Sequence, residues 1–236
     1  MRVVLLGQTG PYSTWAFRHF VRGGPGYEVV GIVEGRRSPI GRHVHRWVEP
    51  DKTARAKPKL PQSNSLRELA EAMALPLFQT ADINSLQAYR EISKLRPELF
   101  VCVGFDRLFS PALLAIAGVG GINAHPSALP RLRGPAPIFW LLREGATEIP
   151  MTVHWLNAGE DRGRVLARGN AGFEPLSTGD RIYQRSGEEA GRLIVELLPR
   201  LAQGFVPGEE QAGDAGPRAR RPKPEDARVS DVGSWT

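Results

Sequence analysis

The sequence predicts an α/β protein built on a doubly wound, mostly parallel Rossmann-like sheet, with an extended tail at its C-terminal end. Two observations carry this prediction. The apolar runs Val3–Leu6, Glu28–Glu34 and Leu99–Val103 are short and nearly unbroken, as strands covered on both faces are. Segments of helical periodicity alternate with them up to about residue 206, the order that winds a parallel sheet.

Val3–Leu6 followed by Gly7-Gln8-Thr9-Gly10 reads as a buried strand and a glycine turn, after which Trp15, Phe17, Phe20 and Val21 recur at helical spacing. Glu28–Glu34 is the second strand. Ser65 and Glu68 form a capping box ahead of Leu66, Leu69 and Met73, and Pro76 stops that helix. Asn84 is placed to cap the next helix, through Leu86, Tyr89, Ile92 and Leu95, and Pro97 closes it before the strand Leu99–Val103. A helix is expected at Ser110–Ile116, a strand at Gly121–His125, a helix at Ile138–Arg143, and strands at Met151–Leu156 and Arg164–Gly169. The long helix Arg181–Gln203 carries an apolar stripe of Ile182, Ala190, Leu193, Ile194, Leu197, Leu198 and Leu201. From Pro207 glycine, proline and charge dominate, and Pro217–Pro224 suits neither a helix nor an inner strand. The expected division is a domain at 1–206 and a linker-like tail at 207–236.

A chain of 236 residues can bury a sizeable core, and 41% hydrophobic with 24% charged residues excludes wholesale disorder or a fibrous repeat. The apolar runs are too short to span a membrane, and no leader with a cleavage site precedes the first strand, so a cytoplasmic protein without a membrane partner is expected. The single cysteine, Cys102, reads as a small buried hydrophobe. Net charge is +6, and residues 36–59 hold all of it: Arg36, Arg37, Arg42, Arg46, Lys52, Arg55, Lys57 and Lys59 against Glu49 and Asp51. Such a loop is a candidate site for phosphate or nucleic acid, with a solvated insertion as the alternative. Trp47 inside it either stacks on a base or anchors the loop to the domain. His43 and His45 read as solvated for want of a third ligand, and His19 and His154 as packing or surface residues.

The chemistry concentrates in Gly121-Ile122-Asn123-Ala124-His125-Pro126-Ser127-Ala128-Leu129-Pro130. Strand alternation puts Asn123 and His125 on one face, and Pro126 ends the ladder, so the pair sits at the carboxyl edge, where doubly wound sheets place their sites. An amide donor beside an imidazole suits an oxyanion that develops during acyl transfer. A partner for the histidine is offered by Asp161 in Gly159-Glu160-Asp161-Arg162-Gly163, a loop that follows the strand Met151–Leu156.

With these two motifs in this order, the chain resembles the formyltransferase family that uses 10-formyltetrahydrofolate. That family includes the catalytic domains of methionyl-tRNA formyltransferase, glycinamide ribonucleotide formyltransferase and the sugar N-formyltransferases. Its N-x-H-x-S-x-L-P run with a following glycine is met by Asn123, His125, Ser127, Leu129, Pro130 and Gly134, and its G-x-D-x-G loop by Gly159, Asp161 and Gly163. Gly104–Phe109 resembles the loop that lines the pterin pocket. The resemblance implies formyl transfer from N10 of the folate to a primary amine, with Asn123 and protonated His125 stabilising the oxyanion and Asp161 orienting and charging His125. It implies no metal. It frames the folate pocket with Asp106, Arg107, Leu108 and Phe109, with Ser127, Ala128, Leu129 and Pro130, and with Asn157 and Glu160; the acceptor side falls to Gly10, Arg42 and Arg133.

Four features bear on the acceptor. Arg131–Ile138 resembles the corresponding run of the tRNA and sugar enzymes, and loop 36–59 stands where the tRNA enzymes carry an insertion that meets the acceptor stem, a candidate tRNA contact. Gly7–Ser13 departs from the glycine-asparagine-glycine-serine loop of the purine enzyme. The tRNA enzyme's second, barrel-like domain is expected to be absent. A methionyl-tRNA-like acceptor is therefore expected ahead of an amino-sugar nucleotide or glycinamide ribonucleotide. A 10-formyltetrahydrofolate hydrolase and a non-catalytic folate- or RNA-binding relative stay open. Glu160 and Arg162 replace the family's usual neighbours of Asp161, the first expected to raise its pKa and the second to offset that.

Overall fold

The computed structural model describes residues 1–36, 45–50, 55–57, 59–204 and 206–227. Arg42, assigned to the acceptor side, and His43 lie outside the described residues, as does part of loop 36–59. Eight strands form one sheet, built from β1 (Arg2–Gly7), β2 (Glu28–Gly35), β3 (His45–Val48), β4 (Leu77–Thr80), β5 (Leu99–Val103), β6 (Gly120–His125), β7 (Glu148–Trp155) and β8 (Val165–Gly172). Their spatial order is β3-β4-β2-β1-β5-β6-β7-β8. The run from β4 to β6 is parallel, and the flanking strands β3, β7 and β8 pair antiparallel.

The period-two alternation of β1 shows why the sheet is wound on both faces. Val3 and Leu5 pack with α1 (Pro11–Arg18), α2 (Leu66–Met73) and α6 (Gly179–Gln203), the helix with the predicted apolar stripe. Val4 and Leu6 point the other way, onto Phe100, Cys102 and the inner side of α3 (Leu86–Lys94) and α4 (Pro111–Leu114). These four β1 side chains are 0–1% exposed, and each such burial contributes about 1.5–3 kcal/mol. A third apolar cluster, with Ile138 and Leu141 of α5 (Pro137–Arg143), Ile149, Ile182 and Ala219, ties the tail to the domain.

Strand order reverses between β1 and β5, the place where doubly wound sheets open a crevice. The turn after β1 and the turn after β5, which begins at Gly104 with φ +67°, therefore face each other across the carboxyl edge.

Several elements differ from the sequence expectation, each for a local reason. β3 and β4 are four-residue strands, too short to show a period, and β3 lies inside the charged loop. Pairing against β4 lays Trp47 on Phe78 at 5.0 Å between ring centroids, while its indole N–H donates to Glu91 Oε2 at 2.8 Å. Trp47 is thus the anchor of the loop, and His45, bonded to Thr80 Oγ1, is not a free solvated residue. α1 stops at Arg18, leaving Phe20 and Val21 buried in the turn beyond it. The cap of α3 is Ser85, whose hydroxyl accepts from Ala88 N–H; Asn84 instead accepts from Ser110 N–H and donates to Leu108 O. Residues 206–222 follow the domain surface as an extended strap, with Glu209 and Val165 exchanging both backbone hydrogen bonds at 2.7 Å.

Replacement Ser85→Ala is expected to cost about 1 kcal/mol. In a thermal melt this reads as a drop of about 2–4 °C, and an unchanged melt would return the cap to Asn84.

Candidate active site

β6 presents Asn123 and His125 on the same face, both buried. The antiparallel register with β7 sets His154 opposite Asn123 and Thr152 opposite His125, and opposed residues share a face. Thr152 Oγ1 donates to Ser127 O at 2.7 Å and accepts from Leu129 N–H at 3.3 Å, which clamps the turn just after His125. The chain then leaves β7 through Asn157 and returns as the loop that carries Asp161. That return requires glycine at 163: a Cβ there would lie 1.6 Å from Trp155 O. Asp161 itself takes φ +50°, a left-handed conformation that aspartate tolerates better than most residues.

The Asp161 carboxylate is the hub. Oδ2 accepts from Gly134 N–H at 2.9 Å and lies 3.6 Å from His125 Nδ1. Oδ1 accepts from Asn123 Nδ2 at 3.3 Å and lies 3.5 Å from His154 Nε2. His154 donates its Nδ1–H to Trp155 O at 2.9 Å, which leaves Nε2 to accept the other Asn123 N–H at 3.1 Å; the tautomer is assigned from these partners. His125 Nε2 donates to Leu132 O at 2.9 Å.

Burial pushes the Asp161 carboxyl upward, but the His125 and His154 rings and the Gly134 N–H outweigh it and hold the group well below the usual carboxylate range. Glu160 does not raise it: its carboxylate is held by the Arg218 guanidinium at 2.5 and 2.6 Å. Because this pKa is lower folded than unfolded, the contribution of Asp161 to stability is complete above about pH 4 and is lost as pH falls below it. His125 is pushed down by burial, against the opposing pull of Asp161, Leu132 O and Glu160, so its ring is neutral at pH 7. Protonation would give both ring nitrogens an acceptor, Leu132 O and the Asp161 carboxylate. The arrangement can take up a proton on His125 and hold the resulting imidazolium.

These groups open on a cavity of about 810 Å³, within the ~300–1,000 Å³ of small-molecule sites. Asp106, Arg107, Leu108 and Phe109 line it as expected, together with Asn157, Glu160 and Gly10. Asp106 is half-buried, which pushes its carboxyl up, yet hydrogen bonds from Arg221 and Gln8 keep its pKa below the ordinary value. Cys102 lies at the floor, where burial pushes its thiol up to about 12, so it is no nucleophile. Ser127, Ala128, Leu129 and Pro130 do not reach the cavity; they support His125 from behind, with Ser127 Oγ donating to Arg131 O and Leu129 O accepting from Arg168. Arg133 is also outside it, its guanidinium on Gln211 Oε1 at 2.6 and 3.2 Å. Sequence reasoning set His154 aside as packing or surface; its position two residues after Thr152 in β7, across from Asn123, was the signal, legible only once β6 and β7 are known to pair antiparallel.

Fold and site together define a doubly wound α/β protein with a buried carboxylate, amide and imidazole network at the edge of a ligand-sized cavity. The family model for formyl transferase matches residues 28–198, and the chain belongs to that family. It is 28% identical over 211 residues to the methionyl-tRNA formyltransferase of Marinobacter nauticus, covering 89% of this chain and 62% of the relative. It is 32% identical over 183 residues to that of Pseudomonas putida, covering 78% of this chain and 59% of the relative. The chain thus spans about three fifths of the length of these relatives. Glycinamide ribonucleotide transformylase 1 of Symbiobacterium toebii shares the fold, with a TM-score of 0.65 at 17% identity over 91% of this chain and 94% of that one. Among the described residues no helix is long and apolar enough to cross a membrane.

The His125 ring is expected to titrate below the ordinary imidazole value of 6.5, and Asp161→Asn, which removes the charge that raises it, should lower the midpoint further. Ring carbon–proton NMR titration of both proteins checks this, and a wild-type midpoint at or above 6.5 would contradict the burial argument.

Proposed function

We propose that this chain transfers the formyl group of 10-formyltetrahydrofolate to a primary amine, with a methionyl-tRNA-like acceptor as the first candidate. One observation carries the reading: Asn123, His125 and Asp161, distant in sequence, meet within hydrogen-bonding range or just beyond it at the wall of a ligand-sized cavity. The pterin is assigned to the side lined by Asp106, Arg107, Leu108 and Phe109, in a cavity that Asn157 and Glu160 also line.

The free amine attacks the formyl carbon, and the carbonyl oxygen gains negative charge as the new C–N bond forms. Neutral His125 accepts the proton that the attacking nitrogen sheds, becoming an imidazolium braced by Asp161 and Leu132 O. The positive charge of that imidazolium, whose N–H groups stay on Leu132 O and Asp161, and an Asn123 N–H that turns from the Asp161 carboxylate once His125 is protonated stabilise the oxyanion. Collapse breaks the bond to N10, and His125 returns the proton to that nitrogen. The balance is one formamide and one tetrahydrofolate, with His125 neutral again.

The acceptor side favours an amine without a phosphate docked on the first turn. Gly10 N–H is spent on Asn64 O, Gln8 N–H on Ser13 Oγ, and Pro11 offers no donor, so the turn after β1 is a poor phosphate cradle. This weighs against glycinamide ribonucleotide. Loop 36–59 supports the tRNA reading through its charge, and β3 plants that loop on the sheet edge. Trp47, packed on Phe78 and bonded to Glu91, does not serve as a stacking platform.

Release of tetrahydrofolate is the test, measured without amine, with charged initiator tRNA, with amino-sugar nucleotides and with glycinamide ribonucleotide. Release that requires methionyl-tRNA and falls about 10²–10⁴-fold in His125→Ala is the expected outcome. Asn123→Ala should lose about 10²–10³-fold in kcat while folate binding survives. Release without any amine would favour a hydrolase. Salt-sensitive RNA binding without turnover would favour a non-catalytic relative.

A further inference from the structure

The strap 206–222 crosses both loops that build the hub. Ala219 accepts from Ala136 N–H and donates to Arg133 O, bracketing Gly134, the residue whose N–H holds the Asp161 carboxylate. On the other loop, Arg218 grips Glu160 next to Asp161. Between them stands Gln211, half-buried, with every polar position of its side chain in use. Nε2 donates to Asp161 O at 2.7 Å and to Gly163 O at 2.8 Å, and Oε1 accepts from Arg133 Nε and Nη2. Carbonyls on one side and a guanidinium on the other allow one orientation of the amide.

We propose that Gln211 is a positioning residue for the Asp161 carboxylate, spanning the loop that carries Asp161 and the loop that supplies the Gly134 N–H. Asp161 sits in a left-handed conformation and Gly163 packs against Trp155 O, so the Asp161 and Gly163 carbonyls need donors from another segment. Gln211 supplies them and couples them to Arg133, one residue from Gly134. The separation of the two loops sets the 2.9 Å bond from Gly134 and, through it, the approach of Asp161 to His125. Gln211 is not what keeps the strap in place: the Glu209 and Ala219 backbone pairs do that on either side of it. Loss of its side chain should therefore loosen the hub without releasing the strap.

Only the kinetic arm of the test rests on the formyl-transfer reading. Gln211→Ala and the size-preserving Gln211→Met are compared with the wild-type chain by His125 NMR titration, folate binding and turnover. His125 faces Asp161, Glu160 and His154, and Glu160 stays paired with Arg218 in both variants, so a moved midpoint reports on Asp161. Both variants are expected to melt within a few degrees of wild type and to shift the His125 midpoint downward, in the direction that weaker contact with Asp161 dictates. With the acceptor that passes the assay above, kcat should fall about ten- to hundredfold, while KM for the folate stays within about twofold. A role confined to packing predicts that methionine restores wild-type titration and turnover. An unshifted His125 in Gln211→Met overturns the inference whatever the turnover, whereas a shifted His125 in a chain that formylates nothing supports it and sinks the reaction instead.

Discussion

A single buried carboxylate organises the carboxyl edge of this sheet. The Asp161 side chain is 14% exposed and ionised at neutral pH, so the protein must replace the water it lost with donors of its own. One comes from Gly134, one from Asn123, and two imidazoles stand within 3.6 Å. Asn123 and His125 lie on β6, His154 on β7, Gly134 on the loop after His125 and Asp161 on the return loop, so their convergence constrains all four at once. Removing one donor leaves part of a buried charge unmet, which costs about 1–3 kcal/mol or more. The hub is therefore a structural requirement as much as a chemical one.

The local sequence answers that requirement with few residues. Gly163 lets the return loop touch the Trp155 carbonyl, Gly134 at φ +113° turns its N–H toward Asp161, and Thr152 pins the turn that leaves His125. The same geometry keeps His125 neutral at rest while surrounding it with acceptors. A base that is neutral before reaction and stabilised once protonated is suited to moving a proton between two nitrogens.

The strap shows how magnitude separates fastening from tuning. Its ion pairs, Arg218 with Glu160 and Arg221 with Asp106, involve arginine side chains 54% and 48% exposed, so each contributes about 0–1 kcal/mol. The buried Ala219 and the backbone pairs of Glu209 and Ala219 do more to hold the segment down. The arginines shape the mouth of the cavity, and Gln211 reaches the backbone beneath the hub.

Much of this was legible in the sequence. Buried runs alternating with capped, amphipathic segments determined the doubly wound sheet, because burial on both faces leaves a compositional trace in every strand. Asn123, His125 and Asp161 could be singled out because strand period and the flanking proline and glycines act locally. The short strands β3 and β4 were not legible, since four residues carry no period and pairing partners supply the rest of their stability. Nor was the cap at Ser85, one residue from an equally suitable Asn84 that long-range hydrogen bonds draw elsewhere. His154 and Gln211 join the site only through the antiparallel register of β7 on β6 and the return of the strap across two loops. Contacts between segments far apart in the chain are set by packing and charge burial, which no local pattern of residues encodes, and the tertiary structure alone decides them.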